Sequence, residues 1–232
     1  MNKSINEEYK KYDKFTEMLD FKNGKNTKIE IFKDLVIMMA LKIKNSVYPE
    51  EIDEDTYKTI LNKYEKEEIK IFNNLINYII ELFIENNEVN DILGEIFEYI
   101  GGDEEYNRFH TPNSIANVET EMTIDLEIIK KRRVTRIGNN ECNSGSMMLA
   151  IIRYLQSNKI DYTKKIYIEA DDTEFVYVCM AYIQSSLYGL SACIIWRKET
   201  GEIRRIFYTP QYYMSGWFEL FKMENFGEIE ED

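Results

Sequence analysis

Arg133-Val134-Thr135-Arg136-Ile137-Gly138-Asn139-Asn140-Glu141-Cys142-Asn143-Ser144-Gly145 opens the stretch from which the fold can be argued, and it runs on to Ala192-Cys193-Ile194-Ile195-Trp196. Residues 134–137 have the β-branched character of a strand, and residues 138–145 form a turn of small and polar residues. The helix predicted next carries Met147, Met148, Ile151, Ile152 and Leu155. A second strand, 165–170, ends on Asp171-Asp172-Thr173-Glu174; a second helix and a third strand, 192–196, follow. Strand, small-residue turn, helix, and a strand ending in acid is the layout of a nucleotide-type pocket. The turn lets backbone approach a ligand, and the acid accepts from a ribose hydroxyl.

Upstream, the pattern changes period. Residues 1–26 are polar and irregular, with Tyr9, Tyr12, Phe15, Met18 and Leu19 at weak helical spacing and Asn23-Gly24-Lys25-Asn26 breaking it. Thr27 is placed to cap a helix with Glu30 at the capping-box position, and Ile31, Leu35, Met38, Met39 and Ile43 give that helix one apolar face over 28–47. A longer helix is expected to open at Asp53 or Asp55 and to reach about Asn86, with a break near 65–68; Asn90-Asp91 then caps a short one closed by Gly101-Gly102. Residues 102–112 read as a loop, and Asn113 or Ser114 caps another helix reaching Met122. The only histidine, His110, stands alone in that loop and reads as structural or exposed rather than as a metal ligand. Downstream, two strand-like runs around Lys198-Glu199-Thr200-Gly201 predict a β-hairpin. Tyr212, Tyr213, Trp217, Phe218 and Leu220 are expected to pack back as a helix, and Glu228 to Asp232 form an acidic tail.

Composition limits what such a pocket can serve. The chain has 232 residues, 44% of them hydrophobic, enough for a sizeable core. No apolar run approaches the ~18 residues of a membrane span, and the first residues lack the apolar centre of a signal peptide. Three widely spaced cysteines suit reduced thiols in the cytoplasm. The formal net charge of −13 opposes autonomous nucleic-acid binding, which draws most of its affinity from cations on phosphate. The runs Lys130-Lys131-Arg132-Arg133 and Arg204-Arg205 read as solvated turn or strand-edge charges. A strongly acidic surface suits simple solubility, or competition with nucleic acid for a basic partner.

Several short motifs, in order, resemble the small N6-adenine DNA methylase-like proteins of phages and mobile elements, relatives of the modification subunits of type I restriction systems. They are Asp91-Ile92-Leu93-Gly94-Glu95-Ile96-Phe97, Arg108-Phe109-His110-Thr111-Pro112, Cys142-Asn143-Ser144-Gly145-Ser146-Met147, and Met180-Ala181-Tyr182-Ile183-Gln184 with Ser186-Leu187 and Gly189. Tyr208-Thr209-Pro210 and Gly216-Trp217 match the end of the pattern. The resemblance spans residues 28–217 and implies an α/β fold. A helical segment, 28–130, follows a polar arm, 1–27, and precedes a truncated Rossmann-like class I methyltransferase domain with a C-terminal β-hairpin, 131–232. It further implies an S-adenosylmethionine site in which Phe109, Thr111 and Pro112 lie over the cofactor. Asn143, Ser144 and Gly145 would approach its methionine part, and Asp172, with Glu174 nearby, would hold its ribose.

The departures from that pattern fall where a ligand would touch. Asn139-Asn140 stand for acid and proline, Asn143 for a glycine, Arg108 for a glutamine and His110 for an aromatic; Trp196-Arg197-Lys198 stand beside the expected adenine edge. No Asp/Asn-Pro-Pro-aromatic sequence, which receives the flipped base in adenine methylases, occurs anywhere in the chain. The expectation is therefore a pseudoenzyme with no cofactor and no catalytic residues, acting by contact with a protein partner. The resembled family's association with mobile elements, together with the acidic charge, implies as partner a basic, nucleic-acid-binding nuclease of a host restriction or CRISPR defence. The alternatives are an S-adenosylmethionine-binding regulatory or assembly subunit and a residual active methyltransferase.

Overall fold

Thr27 begins the first long helix as its sequence requires. Its hydroxyl accepts from the Glu30 N–H (3.2 Å) while the Glu30 carboxylate accepts from the Thr27 N–H (2.7 Å), a reciprocal cap of about 1 kcal/mol. In the computed structural model, which describes residues 12–21, 25–86, 88–109 and 111–217, this helix is preceded by a short one. In order they are α1 (Asp13–Met18), α2 (Lys28–Val47), α3 (Glu51–Leu61), α4 (Lys66–Glu85), α5 (Ile92–Tyr99), α6 (Gly102–Glu105), α7 (Asn113–Thr123) and α8 (Leu126–Lys131). The long helix expected after Pro49 is thus two, parted at 62–65. Its cap is Glu50 rather than Asp53, because Asp53 is fully buried between Lys44 and Arg205. Part of the expected loop at 102–112 is α6. The readings of His110, of the N-terminal residues through Lys11, and of Phe218, Leu220 and the acidic tail lie outside the described residues.

The second half alternates strand and helix: β1 (Thr135–Asn140), α9 (Ser146–Ser157), α10 (Tyr162–Lys165), β2 (Ile166–Asp172), α11 (Phe175–Leu187), β3 (Ala192–Arg197), β4 (Ile203–Tyr208) and α12 (Pro210–Met214). The sheet order is β1-β2-β3-β4, with the first three strands parallel and β4 antiparallel to β3. β1 runs three residues further than its composition suggests, since Gly138, Asn139 and Asn140 pair with Glu169, Ala170 and Asp171. Ladder pairing there overrides the breaker tendency of Gly and Asn.

Alternation along the strands sorts the two faces. Ile166, Ile168 and Ala170 of β2, Ala192 and Ile194 of β3 and Phe207 of β4 join α9, α11 and the N-terminal helices in one continuous hydrophobic core. The opposite face carries a smaller cluster, Tyr167, Cys193, Tyr212 and Trp217. Toward the carboxyl ends of the strands that opposite face is charged instead, with Arg136 on Glu169 (2.8 Å) and Arg197 on Asp171 (3.3 Å). Both parallel crossovers therefore lie on one side of the sheet, and α2 and α5 pack over α11 on that side. Among the described residues no helix is long and apolar enough to cross a membrane.

Candidate functional site

The carboxyl ends of β1, β2 and β3 meet where ligands bind in open α/β sheets. After β1 the chain turns tightly. Glu141 and Asn143 adopt φ of 51° and 47°, and Gly145, at φ 102°, enters α9. Asn143 thus takes the left-handed conformation that asparagine tolerates better than other side chains. Gly145 has less latitude, since a Cβ there would sit 3.3 Å from the Ala181 Cα. The Cys142 N–H donates to the Asp171 carbonyl (2.9 Å), fastening the turn to β2.

Asp172, the last residue of β2, is fully buried at its side chain. Its Oδ2 accepts from the Asn143 N–H (3.0 Å) and its Oδ1 from the Glu174 N–H (2.9 Å). Arg108 then closes the site: its Nη1 donates to both carboxylate oxygens (2.9 and 3.1 Å) and to the Asn143 Oδ1 (2.8 Å). The guanidinium also lies 4.9 Å from the centre of the Tyr177 ring, a cation–π contact. Burial acts to lower the Arg108 pKa, but its hydrogen bond and charge pairing with Asp172 outweigh that, so it rises and the guanidinium stays charged. Tyr177 is pushed up, first by burial and then by its hydrogen bond to Asp103 (2.6 Å), so it stays a neutral phenol.

Trp196 shuts the neighbouring side. Its indole stacks on Phe175 (centroids 4.3 Å apart, 28° between planes), its Nε1 donates to the Thr173 carbonyl (2.9 Å), and the Arg204 guanidinium lies over its ring at 4.7 Å. Outside it lies a cleft of about 500 Å³ lined by Lys33, Tyr106, Glu174, Phe175, Trp196 and Arg204. Cys142 beside the turn offers no nucleophile. Burial first, and then the charges of Asp172 and Asp171, push its thiol well above the ordinary range.

The remaining residues singled out from sequence scatter. Ser144 is buried, and its hydroxyl donates to the Asp91 carboxylate rather than facing the cleft. Asp91 also caps α5 by accepting from the Gly94 N–H (2.9 Å), and it accepts from the Gln184 Nε2 (2.7 Å). Gln184 completes the knot through the Ser144 carbonyl (2.8 Å) and the Leu93 N–H (3.1 Å). Three of the sequence motifs therefore converge on one buried polar joint between the helical segment and the β1 turn. Phe109 is 91% exposed, so its ring does not pack over Asp172; Thr111 is half-buried and Pro112 exposed. Glu174 is half-buried at the start of α11 and contributes its N–H, not its carboxylate, to Asp172. Arg205 is no solvated strand-edge charge: with Lys44 it pairs with the buried Asp53, joining β4 to α2 and α3.

Sequence reasoning missed the part played by Arg108, Tyr177 and Asp103. Arg108 is visible in sequence as a departure from the resembled motif, but nothing in its spacing points to Asp172, 64 residues away. Whether the site fits S-adenosylmethionine turns on what already occupies the Asp172 carboxylate. A carboxylate offers about four lone-pair positions; those of Asp172 take two backbone N–H groups, and the Arg108 Nη1, whose two hydrogens also serve the Asn143 Oδ1, bridges both carboxylate oxygens. A ribose diol would have to displace the guanidinium that bridges the carboxylate, and the Trp196 edge beside it is packed against Phe175 and Arg204. As arranged, the residues do not fit the group.

No protein-family model matches the chain, and no curated protein matches it. Among solved structures, the chain is similar to a candidate class I S-adenosylmethionine-dependent methyltransferase from Listeria monocytogenes. The two are 15% identical with a TM-score of 0.38, and the match covers 71% of this chain and 53% of the other. The chain thus spans about half the length of that neighbour, and a likeness at that level fixes neither fold nor activity.

Proposed function

We propose that this chain is a methyltransferase-like scaffold whose cofactor position is closed by its own side chains, and that it acts by binding another protein. The observation that carries this is the occupation of Asp172 by Arg108, whose Nη1 bridges both carboxylate oxygens, and by two backbone N–H groups. The partner class that fits is a basic nucleic-acid-binding protein, such as a host restriction or CRISPR nuclease. A chain of net charge −13 would compete with nucleic acid for its groove. Direct binding of nucleic acid by this chain is not favoured, because Lys130, Arg136, Arg197 and Lys198 each face an acid of the same chain.

Calorimetry with S-adenosylmethionine on the wild type and on Asp172→Ala tests the closed site. The expected result is no saturable heat from either; micromolar binding by the wild type, lost in Asp172→Ala, would reject it. Methyl transfer to adenine-containing DNA by the purified chain alone would reject the pseudoenzyme outright. The turn itself favours a second reading, an S-adenosylmethionine-binding regulatory subunit of a methyltransferase. Asn143 and Gly145 keep the positive φ that brings backbone toward a ligand, and a partner chain would have to withdraw Arg108 before that turn could serve.

A further inference from the structure

α7 is built the wrong way round for a helix that only supports the core. Its inward face against α9 is small and polar: Ala116 and Thr120 are fully buried, and Asn117 accepts from the Arg153 Nε (2.8 Å). Its outward face is apolar. Ile115, Val118 and Met122, at i, i+3 and i+7, form one stripe and are 57%, 56% and 82% exposed. An ordinary surface helix shows the reverse pattern. The exposed Phe109 ring lies just upstream, before Pro112 opens the helix.

Charge selects the occupant. Glu119 borders the stripe on one side and Glu121 on the other, both exposed, and α7 carries no Lys, Arg or His. Two copies of α7 packed stripe to stripe would set glutamate against glutamate, which opposes self-association. We infer that α7 is a docking ridge, about 16 Å long, for the apolar groove of another protein whose rim carries Lys and Arg. The inference rests on the protein-binding function proposed above and specifies which surface performs it. The mode is that of an amphipathic helix laid in a groove, with apolar anchors at helical spacing and flanking charges setting the choice of partner.

The test uses the full chain and two fluorescent synthetic helices that each present a leucine seam, one flanked by lysine and the other by glutamate. In low salt the lysine-flanked helix should bind, and the glutamate-flanked helix should bind at least about tenfold more weakly. Val118→Glu/Met122→Glu should weaken the lysine-flanked complex by more than about tenfold, and Val118→Ser/Met122→Ser by about tenfold with no change in charge. All these positions are more than half exposed, so circular dichroism and melting should match the wild type. Undiminished binding by the serine variant would mean that acidity alone attracts the probe and would overturn the inference. So would sedimentation showing a wild-type dimer that Met122→Glu dissolves. Either failure, with S-adenosylmethionine still unbound by the wild type, would leave the closed-site proposal standing and relocate its docking surface.

Discussion

Removing Arg108 should uncover a buried charge, and the cost can be worked from the contacts. Arg108→Ala leaves the Asp172 carboxylate, fully buried, with its two backbone donors but no counterion. Deleting one partner of a buried pair costs about 3–5 kcal/mol when nothing else compensates. Two N–H bonds remain here and the Arg108 side chain is 24% exposed, so the loss should fall lower, at about 2–3 kcal/mol. For a chain of this size each kcal/mol moves the melting temperature by about 2–4 °C, which puts Arg108→Ala about 5–10 °C below wild type. Urea unfolding should show a lower midpoint at unchanged m-value. Arg108→Lys should lie between the two, keeping the charge but losing the planar geometry that reaches Asp172 and Asn143 together. A melting temperature within about 1 °C of wild type for Arg108→Ala would refute the account of Asp172 as an acid that depends on Arg108.

The other perturbations probe the joint, the turn and the thiols. In Gly94→Ala the new Cβ would stand 2.5 Å from both the Asp91 Oδ1 and the Ser144 Oγ, so the buried knot must open. We expect a loss above about 3 kcal/mol, seen as protease sensitivity between α5 and the β1 turn. Gly145→Ala meets the Ala181 backbone at 3.3 Å and a φ of 102°. It should cost about 1–3 kcal/mol in urea unfolding, whereas Gly138→Ala, with open space around it, should cost well under half that. All three cysteines are buried, and burial pushes Cys193 up to about 11, with Cys142 and Cys179 also raised. A group whose folded pKa is raised keeps its stabilising contribution below the unfolded pKa and loses it as pH climbs through the folded one. Stability should therefore be insensitive to these thiols at pH 7 and fall from about pH 9 upward, by up to about 1.4 kcal/mol per pH unit for each thiol. A rise in urea midpoint over that interval would contradict it.

Local rules account for what could be seen in advance. The Thr27 capping box, the apolar face of α2 and the Asp91 cap depend on neighbours three or four residues apart, which a sequence displays directly. The βαβαβ order follows likewise from a change of hydrophobic period. β1 was harder: Gly138-Asn139-Asn140 have the composition of a turn and become strand only through β2. Asp53 or Asp55 reads from sequence as the opening of a helix, yet the role of Asp53 is set by Lys44 and Arg205, and Arg205 lies far away in sequence. The closure of Asp172 has the same origin. A guanidinium 64 residues upstream reaches it only because α5 and α6 fold back over α11.

The motif residues divide between a buried polar joint and a site filled by the chain's own side chains. Asp91, Gly94, Ser144 and Gln184 all fall in the motifs that carry the family resemblance, and Ser144 is expected from it to approach a cofactor. Their side chains point instead into a joint where each has a partner that a substitution would strand. Such positions are costly to change whether or not a ligand is ever bound, because an unsatisfied buried polar group costs about 1–3 kcal/mol. Arg108, Asn143 and Trp196 are the positions that the resemblance sets against a ligand, and in the proposed reading the chain supplies its own contacts there: guanidinium on carboxylate, side-chain amide on guanidinium, indole on Phe175. The joint and the filled site thus fasten the same turn from opposite sides, Ser144 to Asp91 and Asn143 to Asp172. Opening the site for a cofactor would loosen the turn that the joint holds, which is the physical reason to look for function on the outer surface of α7.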